Sequence, residues 1–167
     1  MGTSMDNLQA AFAGESQANR KYLFFAEKAD KEGQPQIARL FRAAAEAETV
    51  HARNHLEAMS GIKTAKDNLG AAVGGENYEF TQMYPGFIET AKKEGNAKAE
   101  KTFVWANAVE KIHHGLYQSA LEAVQAGKAL KNEPYYVCPV CGNTVAGKAP
   151  DKCPICNTPG SKWKKID

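Results

Sequence analysis

The sequence predicts an all-α bundle of four helices followed by a small separate module. Three observations carry this. Ala, Glu, Lys, Gln and Leu dominate the first part of the chain, to about residue 130, and no strand-like alternation persists there. That stretch repeats itself once. All four cysteines fall in the last 30 residues, where the composition turns to Cys, Pro, Gly, Asn and Lys.

The helices are expected near 5–32, 35–59, 67–94 and 97–130. Gly33 followed by Gln34-Pro35 is a stop and a restart, with Pro at an early helical position where its missing N–H costs nothing. Gly61 closes the second helix, and Gly95-Asn96 separates the third from the fourth. The repeat pairs Asn7-Leu8, Ala10-Ala11 and Gly14-Glu15 with Asn68-Leu69, Ala71-Ala72 and Gly75-Glu76, an offset of 61. Further on, Tyr22, Phe25, Glu27, Phe41, Glu48 and His51 recur as Tyr84, Phe87, Glu89, Phe103, Glu110 and His113, an offset of 62. The bundle therefore reads as two similar helical hairpins, the second with one extra residue between Glu76 and Tyr84. Glu15 and Tyr22 are two helical turns apart and share a face; Glu76 and Tyr84 drift off that face in a regular helix. A π-type bulge between Glu79 and Pro85 is expected to absorb the insertion. Asn132 to Tyr135 read as a linker, giving domains at 1–132 and 133–167. The second has too few apolar residues to fold on its own core, so a metal must hold it.

Glu48-Thr49-Val50-His51 and Glu110-Lys111-Ile112-His113 are two ExxH units on the second and fourth helices. Positions i and i+3 share a face, so carboxylate and imidazole point the same way. Glu15 and Glu76 add one carboxylate each from the first and third helices. A single ExxH on a Glu-rich helix ordinarily reads as solvated surface. Here both units and both lone glutamates fall at equivalent repeat positions, and the flanking Ala43-Ala44-Ala45, Val50, Val109 and Ile112 read as bundle interior. The set matches the known donor pattern of ferritin-like di-iron carboxylate bundles. Carboxylates can bridge two metal ions, imidazole supplies a neutral nitrogen, and buried carboxylates need metal or protons to neutralise them.

Glu79 breaks the symmetry, because its repeat partner is Ala18. One turn beyond Glu76, it reads either as a surface glutamate or as a seventh ligand. Tyr22 and Tyr84 either donate to a metal-bound carboxylate or pack in the core. His55 and His114 read as structural or exposed. In the module, Cys138-Pro-Val-Cys141-Gly142 and Cys153-Pro-Ile-Cys156 are two CxxC knuckles suited to one tetrahedral four-thiolate site. Their spacing does not choose zinc from iron.

Composition narrows the class. A formal net charge of +2 on 167 residues offers no electrostatic footprint for nucleic acid. No run of about 18 apolar residues occurs, which argues against a membrane span, and no signal peptide is visible. A cytoplasmic protein is expected.

At this point the sequence resembles the rubrerythrin family over nearly its whole length. The resemblance rests on Ala13-Gly14-Glu15-Ser16-Gln17, the Glu48/His51 and Glu110/His113 units, Gly75-Glu76-Asn77-Tyr78-Glu79 with Met83-Tyr84-Pro85, and the CPVCG and CPIC knuckles. It implies a ferritin-like four-helix bundle followed by a rubredoxin-like domain, with two Fe ions in the bundle and one Fe, or a Zn substitute, at the four cysteines. It implies that Glu48 and Glu110 bridge the irons, that Glu15, Glu76 and His113 are terminal ligands, and that one iron moves between His51 and Glu79. The implied activity is reduction of hydrogen peroxide to water. Electrons would come from an external donor such as rubredoxin or an NAD(P)H-dependent reductase. A ferroxidase or oxygen-reducing di-iron protein is the rival enzyme, and an iron-binding protein with a structural zinc knuckle the non-enzymatic one.

Topology raises a further expectation. The second helix spans roughly 37 Å at 1.5 Å per residue. The join near Ser60 to Ala65 reaches about 20 Å extended, or nearer 35 Å if the third helix starts late. A homodimer with helical hairpins exchanged between subunits is therefore expected.

Overall fold

The computed structural model describes residues 2–167. The chain is mostly helical with a small strand-based C-terminal module: α1 (Ser4–Lys31), α2 (Pro35–Ala58), α3 (Ala65–Tyr78), a π-helical turn (Glu79–Met83), α4 (Tyr84–Lys93) and α5 (Ala97–Gln125), then β1 (Tyr135–Val137), β2 (Thr144–Ala146) and β3 (Lys164–Ile166). It forms two compact units that divide between Lys63 and Thr64. The second hairpin and the cysteine module thus belong to one unit.

In the first unit, Thr3 caps α1. Its hydroxyl accepts from the Asp6 N–H, and the Asp6 carboxylate accepts from the Thr3 N–H, so two otherwise unpaired donors are satisfied. Gly33 ends the helix at φ +71, and the Gln34 N–H reaches back to the Ala29 carbonyl. The two helices meet through Ala26, Ala29, Ala38 and Ala45, all buried. Alanine lets the backbones approach closely but buries little area. Phe24, Phe25, Ile37, Leu40 and Val50 stay exposed, because a pair of helices encloses no volume large enough for them. Val50, expected in the bundle interior, is half exposed for this reason.

In the second unit, α3 starts at Ala65, two residues before the expected 67. Thr64 is its cap, accepting from the Asp67 N–H. The Thr-x-x-Asp signal had already occurred at Thr3 to Asp6, again at an offset of 61. The π turn lies within the expected window, and the Tyr84 N–H bonds the Glu79 carbonyl five residues back. The fourth predicted helix, 97–130, stops instead at Gln125. Gly127 adopts φ +67, and the N–H groups of Gly127 and Lys128 close on the carbonyls of Val124 and Ala123. The irregular connection to β1 is correspondingly longer than the expected linker at 132–135.

The module is an antiparallel sheet in the order β2-β1-β3, with Tyr136 opposite Val145 on one side and Lys165 on the other. Its core is Cys138, Cys153 and Trp163, flanked by Tyr136, Val145 and Ile155. Strand β2 lies against α5. Among the described residues no helix is long and apolar enough to cross a membrane.

Candidate metal centres

The six predicted bundle ligands come together as two triads of identical chemistry, one inside each unit. In the first, α1 supplies Glu15, and α2 supplies Glu48 and His51 one turn apart; one donor atom from each lies within 4.8 Å of the others. His51 Nδ1 sits 2.8 Å from Glu48 Oε2. Asn19 fastens the helices at this level, its amide donating to the Ala45 carbonyl at 2.7 Å and the Thr49 hydroxyl at 2.8 Å. Tyr22 packs its ring against Phe25 and Phe41.

The second triad is Glu76 from α3 with Glu110 and His113 from α5, one donor atom from each again within 4.8 Å of the others. His113 Nδ1 lies 2.8 Å from Glu110 Oε2 and 3.9 Å from Glu76 Oε1. The aromatic cluster repeats as well: Tyr84 packs on Phe87 and Phe103, and the Phe87–Phe103 centroids are 5.5 Å apart, as are those of Phe25 and Phe41. His114 points elsewhere, edge-on to Phe80. The triads differ in exposure: the His51 side chain is 52% exposed, the His113 side chain 26%.

Negative charge is crowded at the second triad. Burial, the Glu110 charge and hydrogen bond, and the Glu79 charge push Glu76 up to about 7. Burial and Glu110 also raise Glu79, with His113 opposing. Tyr84 is raised by burial and by Glu110, Glu79 and Glu76, and remains a phenol. Glu79 and Tyr84 thus feel the triad electrostatically, and Glu79 is not a detached surface carboxylate. Three carboxylates beside one imidazole ask for protons or a metal ion. Carboxylate oxygen with imidazole nitrogen suits iron or a similar divalent ion.

In the module, Cys138 and Cys153 are buried and Cys141 and Cys156 partly exposed, all as free thiols. Sγ of Cys138 and Cys156 are 3.5 Å apart, as are those of Cys141 and Cys153. A tetrahedron with about 2.3 Å metal–sulfur bonds has edges of about 3.8 Å, so the cage needs little adjustment to take an ion. Each knuckle turns on a left-handed residue, Gly142 at φ +81 and Asn157 at φ +63. Burial alone would oppose ionisation at Cys153, but the N–H groups of Cys156 and Ile155 outweigh it and lower the thiol. At Cys156, burial is likewise outweighed by the side chain and backbone of Thr158, whose hydroxyl lies 3.1 Å from the sulfur. Burial pushes Cys141 up.

Sequence reasoning had not singled out Asn19, Thr144 or Thr158. Thr144 Oγ1 lies 2.9 Å from His113 Nε2 and donates to the Gly142 carbonyl at 3.0 Å, joining the triad to a cysteine knuckle. No spacing rule announces a contact across 31 residues. Thr158 did carry a faint signal, standing two residues after Cys156 as Asn143 stands after Cys141.

Comparison with known proteins agrees with this geometry. The rubrerythrin family model matches residues 6–121, and the model of the rubrerythrin rubredoxin-like domain matches 136–164. Rubrerythrin-2 of Clostridium acetobutylicum is 37% identical, with 95% of this chain and 94% of that protein covered. The rubrerythrin of Porphyromonas gingivalis is 38% identical over 96% of this chain and 88% of its own length. Among solved structures, nigerythrin in its fully reduced, all-ferrous state is 34% identical with a TM-score of 0.60, covering 99% of this chain and 88% of that one.

Proposed function

The chain belongs to the rubrerythrin family, and from that premise we propose that it is a non-haem di-iron peroxidase reducing hydrogen peroxide to water. The observation that carries this is the pair of matching carboxylate–imidazole triads on one chain with a four-thiolate cage, one triad hydrogen-bonded to a cysteine knuckle. Both donor sets fit iron. Iron held in the bundle would supply the two electrons that cleavage of the O–O bond requires, and iron held by the four cysteines would supply one-electron transfer.

The remaining steps belong to the side chains. Glu15, Glu48 and His51 would hold one ion, and Glu76, Glu110 and His113 the other. Glu79 stands beside the second triad as an additional carboxylate, and in the ligand exchange that family membership implies it would take the place of His51. Two protons must accompany the two electrons for peroxide to leave as water. Tyr84 holds a proton against three carboxylates and can orient or relay it. Tyr22 occupies the equivalent place in the first hairpin.

Electrons reach the cage from an external donor such as rubredoxin or an NAD(P)H-dependent reductase. Four free thiols suit the reducing cytoplasm. The functional molecule is a homodimer with exchanged hairpins. The join at 59–64 extends to about 20 Å, too short to run the roughly 36 Å length of α2. The exposed apolar faces of the hairpins ask for a partner surface.

The test is metal content together with stopped-flow reoxidation of the reduced protein. Faster reaction with peroxide than with oxygen is expected. Much faster reaction with oxygen would turn the assignment to an oxygen-reducing or ferroxidase protein. A colourless, zinc-filled cage would remove the relay.

A further inference from the structure

We infer that Thr144 is a positioning residue for the second triad, fixing the tautomer and ring orientation of His113 so that Nδ1 faces a metal ion. The inference rests on the reading that the triads hold metal. His113 directs its two nitrogens to different places. Nδ1 converges with Glu110 and Glu76, and Nε2 meets the Thr144 hydroxyl at 2.9 Å. The hydroxyl proton is already committed, because Thr144 donates it to the Gly142 carbonyl at 3.0 Å. Toward His113 the Thr144 oxygen can therefore only accept, and Nε2 must carry hydrogen. A neutral imidazole protonated at Nε2 has its lone pair on Nδ1, the nitrogen among the carboxylates. Metal-binding histidines usually gain this control from a carboxylate or carbonyl on the far nitrogen. Here a hydroxyl backed by a carbonyl performs it.

The support is rigid. Gly142 donates its N–H to the Cys138 carbonyl, the Asn143 carbonyl accepts from the Cys138 N–H, and Thr144 pairs with Val137 across the sheet. A loaded thiolate cage holds this knuckle, so Thr144 keeps its place when the cage is filled. His51 repeats the 2.8 Å approach of Nδ1 to its own glutamate, but its side chain is twice as exposed and no cysteine module follows the first hairpin in the chain. The two triads are therefore unequal within the chain: His113 has a hydroxyl fixed behind its far nitrogen, and His51 is the more exposed ligand.

The experiment uses the full chain loaded with zinc, a diamagnetic probe, in three forms: unaltered, Thr144→Val and Thr144→Ser. Histidine-ring nitrogen NMR of the unaltered chain should show a protected His113 Nε2–H. Thr144→Val, which keeps the volume and loses the hydroxyl, should expose that proton. It should also weaken one of the two bundle metals by about tenfold or more in a competitive titration. Thr144→Ser should restore both, while parallel samples of the three forms loaded with cobalt instead of zinc show the same thiolate-to-cobalt absorption of the cage. Unchanged affinity and an unchanged His113 signal in Thr144→Val would overturn the inference. So would a loss that Ser does not restore while the cage is intact, since that loss would be packing alone. An unaltered chain that takes up metal only at its cysteines would overturn the reading of the triads as well. Two bundle metals bound normally by Thr144→Val would overturn this inference alone.

Discussion

Glu79 is the residue at which the two hairpins differ most in chemistry. Its counterpart is Ala18, and the residue types around it were legible because the repeat sets the two helices side by side. Helical spacing puts Glu79 on the side of Glu76, whereas its coupling to Glu110 and His113 on another helix is set by packing, which spacing along the chain does not reveal. Glu79→Ala is expected to leave metal content close to native and to slow peroxide turnover roughly tenfold or more, as loss of a supporting ligand does. Metal analysis beside single-turnover reoxidation checks this, and undiminished turnover would remove the ligand switch. Glu76 makes a second prediction. In the protein stripped of bundle metal its carboxyl moves from the ordinary 4.5 to about 7, facing Glu110 and Glu79. The folded state then binds more protons than the unfolded state between those values. Stability of the stripped protein should be greatest at the acid end of that window and fall as pH rises toward 7. Thermal melts across this range should show the decline, and restored metal should flatten it; a melt rising with pH would contradict the crowding.

At the level of elements, the π turn is the clearest case of local sequence deciding structure. One residue inserted between Glu76 and Tyr84 cannot be hidden in a helix of 3.6 residues per turn, so the ladder widens over Glu79–Met83 and Tyr84 regains its place beside Phe87 and Phe103. The knuckles are a second case. Asn157 holds the left-handed conformation that Gly142 holds in the other knuckle. Asn157→Gly is expected to be close to neutral. Asn157→Ala should cost about 1–2 kcal/mol, the usual penalty for a Cβ in that region, read from unfolding of the loaded module through its thiolate–metal absorbance. Removing the cage metal should melt β1 to β3 while the helical circular dichroism persists, because the module buries too few side chains to stand alone. The helix-favouring composition continues past Gln125 and does not mark the end of α5. Gly127, in its left-handed conformation, was the true stop.

For the whole molecule, the proposed exchange of hairpins makes a prediction that a self-contained chain does not. Glu15→Gln and Glu76→Gln each damage every bundle site when present alone. In an exchanged dimer of one variant with the other, one site collects both lesions and the other none. Unfolding the two variants together and refolding them should restore about a quarter of the native sites on random pairing. If each bundle is built from one chain, nothing is restored. The sequence by itself determined which atoms the centres offer: two carboxylate–imidazole triads in register, a fifth carboxylate beside them, and four thiolates in paired knuckles. These are set by spacing along the chain, which helical period and covalent geometry translate directly into a shared face. Only the tertiary structure decided what lies behind each ligand, above all the Thr144 hydroxyl at the back of His113. That contact depends on how a module docks on a helix, and packing between distant segments leaves no periodic trace in the chain.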